Sequence, residues 1–209
     1  MEKISLYDLL SILLPGALLT LAIEVIINDF GLKIDSLETN NYFKLTLFLS
    51  SSIYIGSLIN ISTKKLLKIY KKIGLFTPLK TIYKSSTELE LIKPFLKKKM
   101  NSLAFDSKKE KLEQLWSVVY YELEATGKIS SPKAFQSFYF FFRNFFTLGI
   151  ILFLPLLFQL MFHCFSPKYI FLCSINVLGL FLSISAAKWN RVKMVERIFW
   201  TYYSLNKNK

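Results

Sequence analysis

The sequence predicts an all-α protein: a four-span transmembrane helical bundle with a helical cytoplasmic insert between spans two and three. Three observations lead there. First, four apolar stretches occupy residues 9–28, 45–61, 144–162 and 169–187, each close to the ~20 residues a helix needs to cross a ~30 Å hydrocarbon core. Second, the chain is 53% hydrophobic and 20% charged, and the charges cluster between the apolar stretches, as expected when lipid solvates one part and water the other. Third, the basic residues are distributed unevenly among the connections. The first connection, with Asp29, Lys33, Asp35 and Glu38, is net −2, and the third holds only Lys168. Residues 63–137 hold 16 Lys against 7 acids, and residues 188–209 hold six basic residues against Glu196. Lys and Arg stay on the cytoplasmic side during insertion. Both termini and the insert are therefore expected inside a bacterial inner membrane, facing its anionic leaflet.

The chain divides into a transmembrane hairpin (1–62), a basic cytoplasmic helical insert (63–137), a second hairpin (138–187) and a basic tail helix (188–209). Glu2, Lys3 and Asp8 give the start no net positive charge. Without a small-residue cleavage site, span one reads as an anchor rather than a signal peptide.

Span one contains Pro15 and Gly16. Proline removes one helical hydrogen bond and crowds the carbonyl four residues back, so a kink is expected there, packed on neighbouring helices. It reads either as a tolerated membrane proline or as a hinge. Glu24 is the acid inside a span, near its outer end, and Lys44 at the start of span two is its candidate partner. The pair reads as interfacial structure or as part of an ion path.

In span two, Ser52, Gly56 and Asn60 are four apart and share one helix face. Gly179, Ser183 and Ala187 repeat the spacing in span four. Small residues at this spacing let helices approach closely in lipid, so both stripes are candidate helix-packing or oligomer interfaces. Spans one and three are too apolar to line water alone. Span three begins in an aromatic run around Arg143, which is expected to snorkel to the cytoplasmic headgroups. Ser131 and Pro132 read as N-cap and first position of its helix.

The insert has a helical pattern. Residues 63–76 continue span two until Pro78. Ser85 to Glu88 contain a capping box that starts a short helix stopped at Pro94. Residues 107–126 form the clearest helix, with a Ser107–Glu110 capping box and Gly127 as its left-handed cap. Leu112, Leu115, Trp116, Val119, Tyr120 and Leu123 share one face. An insert of this size is marginal for an independent core. Its face is expected to pack on the span ends and on the tail stripe Val195, Ile198, Phe199 and Tyr202.

Catalytic patterns are missing. There is no nucleotide loop, no GxSxG and no zinc spacing. Cys164 and Cys173 read as small apolar residues, and the single His163 cannot supply both a metal shell and a base. No catalytic residue, metal site or cofactor is expected. The 24 Lys and 3 Arg suit an anionic leaflet, at ~1 kcal/mol per residue near the surface, as well as they suit nucleic acid.

The opening run from Tyr7 to Gly16, the Ile55–Gly56–Ser57–Leu58–Ile59 stretch and the Phe142–Arg143–Asn144 entry look like those of small bacterial membrane proteins, and the size, four spans and Lys/Ile/Phe-rich style are similar to the Csx27 family, accessory membrane proteins of type VI-B CRISPR loci. The resemblance covers the general plan and these short stretches, and carries no catalytic residue. It implies a role in antiviral defence, with a Cas13-type RNA-guided ribonuclease as cytoplasmic partner; the small-residue stripes of spans two and four add the expectation of a homo-oligomer. Four-span Kiwa-type defence proteins are similar in plan. The other accessory of those loci resembles HEPN nucleases, and the R-x4–6-H motif of that kind is missing here. The alternative reading is a small channel or transporter subunit. A third is a membrane-tethered RNA binder, hinted at by Tyr70, Tyr83 and Lys80.

Overall fold

The computed structural model describes residues 6–29, 41–72, 74, 77–102, 111–163 and 165–207. Among them every regular element is a helix: α1 (Leu6–Asp29), α2 (Asn41–Lys65), α3 (Leu67–Lys72), α4 (Leu79–Ser85), a 3-10 turn (Glu90–Ile92), α5 (Lys93–Ser102), α6 (Lys111–Ala125), α7 (Ser130–Phe162) and α8 (Pro167–Asn206). Three of these, α2, α7 and α8, are long and apolar enough to cross a membrane. Within α1, Ser11–Val25 is a shorter apolar helix.

The chain forms two compact units. Unit 1 is Met1–Leu75 with Ser137–Ala187, and unit 2 is Phe76–Gln136 with Lys188–Lys209. In unit 1, α1 and α2 run antiparallel with their backbones in contact. A Cβ at Gly16 would lie 1.8 Å from the Ser52 carbonyl oxygen, and one at Gly56 would lie 2.0 Å from that of Ile12. Only glycine permits this approach, which explains two of the chain's seven glycines. α1 stays helical through Pro15. The proline leaves the Ser11 carbonyl without its usual backbone donor, and the Asn144 side-chain nitrogen supplies one at 3.2 Å.

Unit 2 is built around one apolar core. Ile82, Leu89, Leu96, Leu115, Val119 and Ile198 are buried in it. The α6 face named above contributes Leu115, Val119 and Leu123, with Leu112, Trp116 and Tyr120 packed at its margin. From α8, Val195, Ile198, Phe199 and Tyr202 are at most 1% exposed. Phe199 meets the rings of Trp116 and Tyr83 edge-on, with centroids 5.6 and 6.4 Å apart.

Several local expectations are corrected. Residues 63–76 are not one continuation of span two: the helix breaks at Leu66, and α3 ends at Lys72. Ser85 does not start a helix: it is the last residue of α4, and its hydroxyl donates to the Thr81 carbonyl at 2.9 Å. The neighbouring Ser86 hydroxyl accepts the Leu89 N–H at 3.3 Å and donates to Glu196 at 2.6 Å, and a turn and the 3-10 turn stand where the helix was expected. Pro94 does not stop a helix but sits in the first turn of α5, where its missing N–H would have no intrahelical partner anyway. α7 begins at Ser130, one residue before the expected cap, leaving Pro132 in its first turn. The Ser107–Glu110 capping box and Cys164 lie outside the described residues.

Gly127 closes α6 with φ +68°. Its N–H bonds the Glu124 carbonyl at 3.1 Å, and the Lys128 N–H reaches back to Leu123 at 2.9 Å, which is the paired Schellman pattern. No neighbour would crowd a Cβ there, so Gly127→Ala isolates the backbone strain of a left-handed alanine. The expected loss is about 1 kcal/mol, read as a small shift in the thermal melting of unit 2.

Candidate functional site

The polar residues of unit 1 converge on the stretch of α7 from Tyr139 to Thr147. Arg143 is 5% exposed. Its guanidinium donates to Asn60 Oδ1 at 3.0 Å and lies 4.8 Å from the Phe140 ring centroid and 5.8 Å from that of Tyr139. The expected snorkelling is thus overturned: an amide oxygen on α2 and two ring faces hold the cation inside unit 1. Among the described residues no carboxylate pairs with it, and its Nε has no acceptor.

One turn on, Thr147 Oγ1 is 2.7 Å from Thr63 Oγ1 and 2.5 Å from Tyr70 Oη. Thr63 also reaches the Ile59 carbonyl at 2.7 Å. Each hydroxyl has one proton, and a consistent assignment runs from Tyr70 to Thr147, to Thr63, to the Ile59 carbonyl. This relay ties α3 to α7 and α2. Asn144 adds α1 through the Ser11 carbonyl. All of Tyr70, Thr63, Asn144 and Thr147 are at most 1% exposed. The arrangement is a clasp of hydroxyls and amides that joins four helices, and among the described residues no His/Cys/Asp/Glu group could hold a metal.

The residues singled out in the sequence fall in different places. Ser52 and Gly56 are buried in the α1–α2 seam, and Asn60 serves Arg143, so this stripe packs within the chain. Pro15 and Gly16 are buried in the same seam. In α8, Ser183 and Ala187 are buried, and Gly179 is half-buried with Phe145 at an ordinary 3.6 Å from where its Cβ would be. Glu24 and Lys44 are both exposed, and no ion pair joins them among the described residues. Sequence reasoning passed over Thr63, Asn144 and Thr147. Their signal was a polar residue inside an apolar run.

Comparisons with family models, curated proteins and solved structures find no match.

What the chain does is read from its own side chains, and unit 2 adds a second, charged clasp. Glu196 is 4% exposed. One of its oxygens accepts the Ser86 hydroxyl at 2.6 Å, and the other accepts Lys193 Nζ at 3.0 Å. Lys193 also bonds Glu88 at 2.5 Å, and Trp200 Nε1 donates to the Glu88 carbonyl at 3.0 Å. The hydrogen bond from Lys193 holds the Glu88 carboxyl below its ordinary pKa. The same contact, with that to Glu196, raises the Lys193 ammonium above its own.

The signs give a plateau. The Glu88 contribution is complete above the ordinary glutamate pKa and is lost as pH falls through the depressed value. The Lys193 contribution is complete below the ordinary lysine pKa and is lost as pH rises through the raised value. Unit 2 is therefore expected to be most stable between those ranges. Because Glu88 is half-exposed, the acid limb is shallow. Thermal melts against pH check this, and Glu88→Gln should flatten the acid limb.

Proposed function

We propose that the chain is a four-span protein of the bacterial inner membrane, non-enzymatic, with unit 2 on the cytoplasmic side as a recognition module. In this reading α1 is the fourth span, and α2, α7 and α8 are the other three. The observation that carries the reading is the make-up of unit 2. The insert and the tail share one core, and this body bears 17 basic against 8 acidic residues. A folded basic body continuous with apolar helices suits an anionic inner leaflet and an acidic cytoplasmic partner. The clasps of both units fix helices rather than perform chemistry.

The family resemblance narrows the partner to a Cas13-type RNA-guided effector, whose antiviral activity the protein would modulate as a homo-oligomer. The close approach at Gly16 and Gly56 favours packing within the chain for that stripe, so self-association would use the outward faces of α2 and α8. There Tyr54, Leu58, Phe181 and Leu182 are exposed.

The test uses full-length protein in lipid nanodiscs and the effector as a purified partner. Lys97 and Lys98 are exposed on α5, and their replacement by Glu should weaken effector binding while leaving the melting of unit 2 in place. Equal binding by both proteins, or none by either, overturns the effector reading.

A further inference from the structure

Five lysines stand within residues 64–72, and no acid occurs between Glu38 and Glu88. Lys64 and Lys65 close α2, and Lys68, Lys71 and Lys72 follow on α3. Of these, Lys64, Lys65, Lys68 and Lys72 are exposed, and no ion pair holds them among the described residues. Unit 1 offers little in return. Residues 1–23 contain Glu2 and Asp8 against Lys3, and residues 138–187 contain no acid. Glu24 and Asp29 fall at the far end of α1, which runs beside the start of α2. The C-terminal dipole of α2 supplies about half a charge. The cluster therefore calls for an anion that unit 1 does not carry.

The surroundings select that anion. Ile61, one turn before Lys65, is 50% exposed, and Ile69, one turn after it, is 54% exposed. A polyanion in water gains nothing from this apolar surface, whereas a bilayer meets it with acyl chains and meets the lysines with phosphates. Residues 64–68 rise about 6 Å, close to the ~5–8 Å depth of one headgroup layer. Tyr70, the aromatic ring within the cluster, is 1% exposed and packs edge-on against Phe146 at 5.4 Å. It is closed to a nucleic-acid base, which needs an open ring face to stack on. Lysine is also a point charge that suits phosphate, without the planar fork that reads bases.

The cluster is held from inside unit 1. α3 has six residues, too few to keep a helix alone in water. The Tyr70 hydroxyl, bonded to Thr147 of α7, fastens it to the bundle.

We propose that the α2–α3 lysines bind the phosphates of anionic lipid in the inner leaflet, and that Tyr70 is the positioning residue that keeps them at headgroup depth. The inference rests on the membrane placement of α2 and α7 and not on any effector. A chain that does not enter a bilayer sinks that placement. A chain that enters without a lipid preference removes this inference alone.

The test places the full chain in nanodiscs of phosphatidylcholine and phosphatidylglycerol and measures the ratio of the two lipids retained, by native mass spectrometry. Wild type is expected to favour phosphatidylglycerol. Lys65→Gln with Lys68→Gln should lower that preference about 25-fold, since each lysine near an anionic surface is worth ~1 kcal/mol, or about fivefold. Lys97→Gln with Lys98→Gln removes the same charge from unit 2 and should leave the preference near wild type. Tyr70→Phe keeps every charge and the ring contact with Phe146, so a loss of preference there reports positioning. Thr147→Val removes the same bond from the other side and decides where Tyr70→Phe fails to fold. Equal falls in the two double variants overturn the proposal, as does a wild type without preference. A wild-type ratio in the folded Tyr70→Phe or Thr147→Val protein overturns the positioning role. If Lys65→Gln with Lys68→Gln instead loses affinity for a uridine oligonucleotide and keeps its lipid ratio, the lysines serve nucleic acid and the proposal fails.

Discussion

Phe199→Ala is expected to unfold unit 2 while the helices of unit 1 persist. The side chain is fully buried and meets Trp116 and Tyr83 edge-on. Truncating a buried Phe costs about 3–5 kcal/mol through lost transfer energy and the cavity left behind, and each edge-on ring contact adds about 0.5–1.5 kcal/mol. A whole small domain is stable by only about 5–15 kcal/mol, so this one change removes much of the margin. Hydrogen exchange should show α4, α6 and residues 188–206 losing protection together. Leu205→Ala, on the same helix but 41% exposed, should change little. If the two variants exchange alike, Phe199 does not anchor the core.

Gly56→Ala should be one of the two most damaging single methyl additions in unit 1, together with Gly16→Ala. The new Cβ would lie 2.0 Å from the Ile12 carbonyl oxygen and 2.8 Å from its carbon. These are backbone atoms, so no side chain can turn aside, and α1 must move away from α2. Overpacking commonly costs 1–3 kcal/mol and sometimes more; with the whole seam displaced, about 3 kcal/mol is expected. The separation would also draw Ser11 away from Asn144 and leave both polar groups unmatched in an apolar interior. Gly16→Ala should behave alike, whereas Gly179→Ala, with Phe145 at 3.6 Å, should fall within about 0.5 kcal/mol of wild type. Detergent unfolding curves measure the three. Equal stability of Gly56→Ala and Gly179→Ala would refute the seam.

The helical period alone located the buried face of α6 and the tail stripe of α8, because an amphipathic helix in water writes its inner side into its sequence. Gly127 was legible for a similar reason: a left-handed cap has a narrow choice of residues. The polar contacts were not. A helix in an apolar run carries no contrast between its two sides, so the period does not tell which neighbour Asn60 or Thr147 meets. Arg143 was read from its position near the end of a span, and position does not reveal an amide oxygen waiting on α2. Ser85 fitted a capping pattern, but it closes α4 and gives its proton to the Thr81 carbonyl one turn back. The Ser52–Gly56 stripe lies in the α1–α2 seam, and the choice between an internal and an external partner needed the position of Gly16.

The core of unit 2 draws on Phe76–Gln136 and on Lys188–Lys209, and this has a cost during synthesis. When the ribosome finishes residue 136, the α6 face has no Phe199 or Ile198 to cover it. Another 73 residues separate position 136 from position 209, which takes about 4–15 s at 5–20 residues per second. Through that interval α4, α5 and α6 present an open apolar surface beside many lysines. Closure of this core therefore reports that the apolar half of α8 has already left the ribosome. Mistranslation or cleavage before residue 199 should therefore leave a visibly unfolded insert, which gives quality-control proteases a direct signal that the last helix failed to arrive.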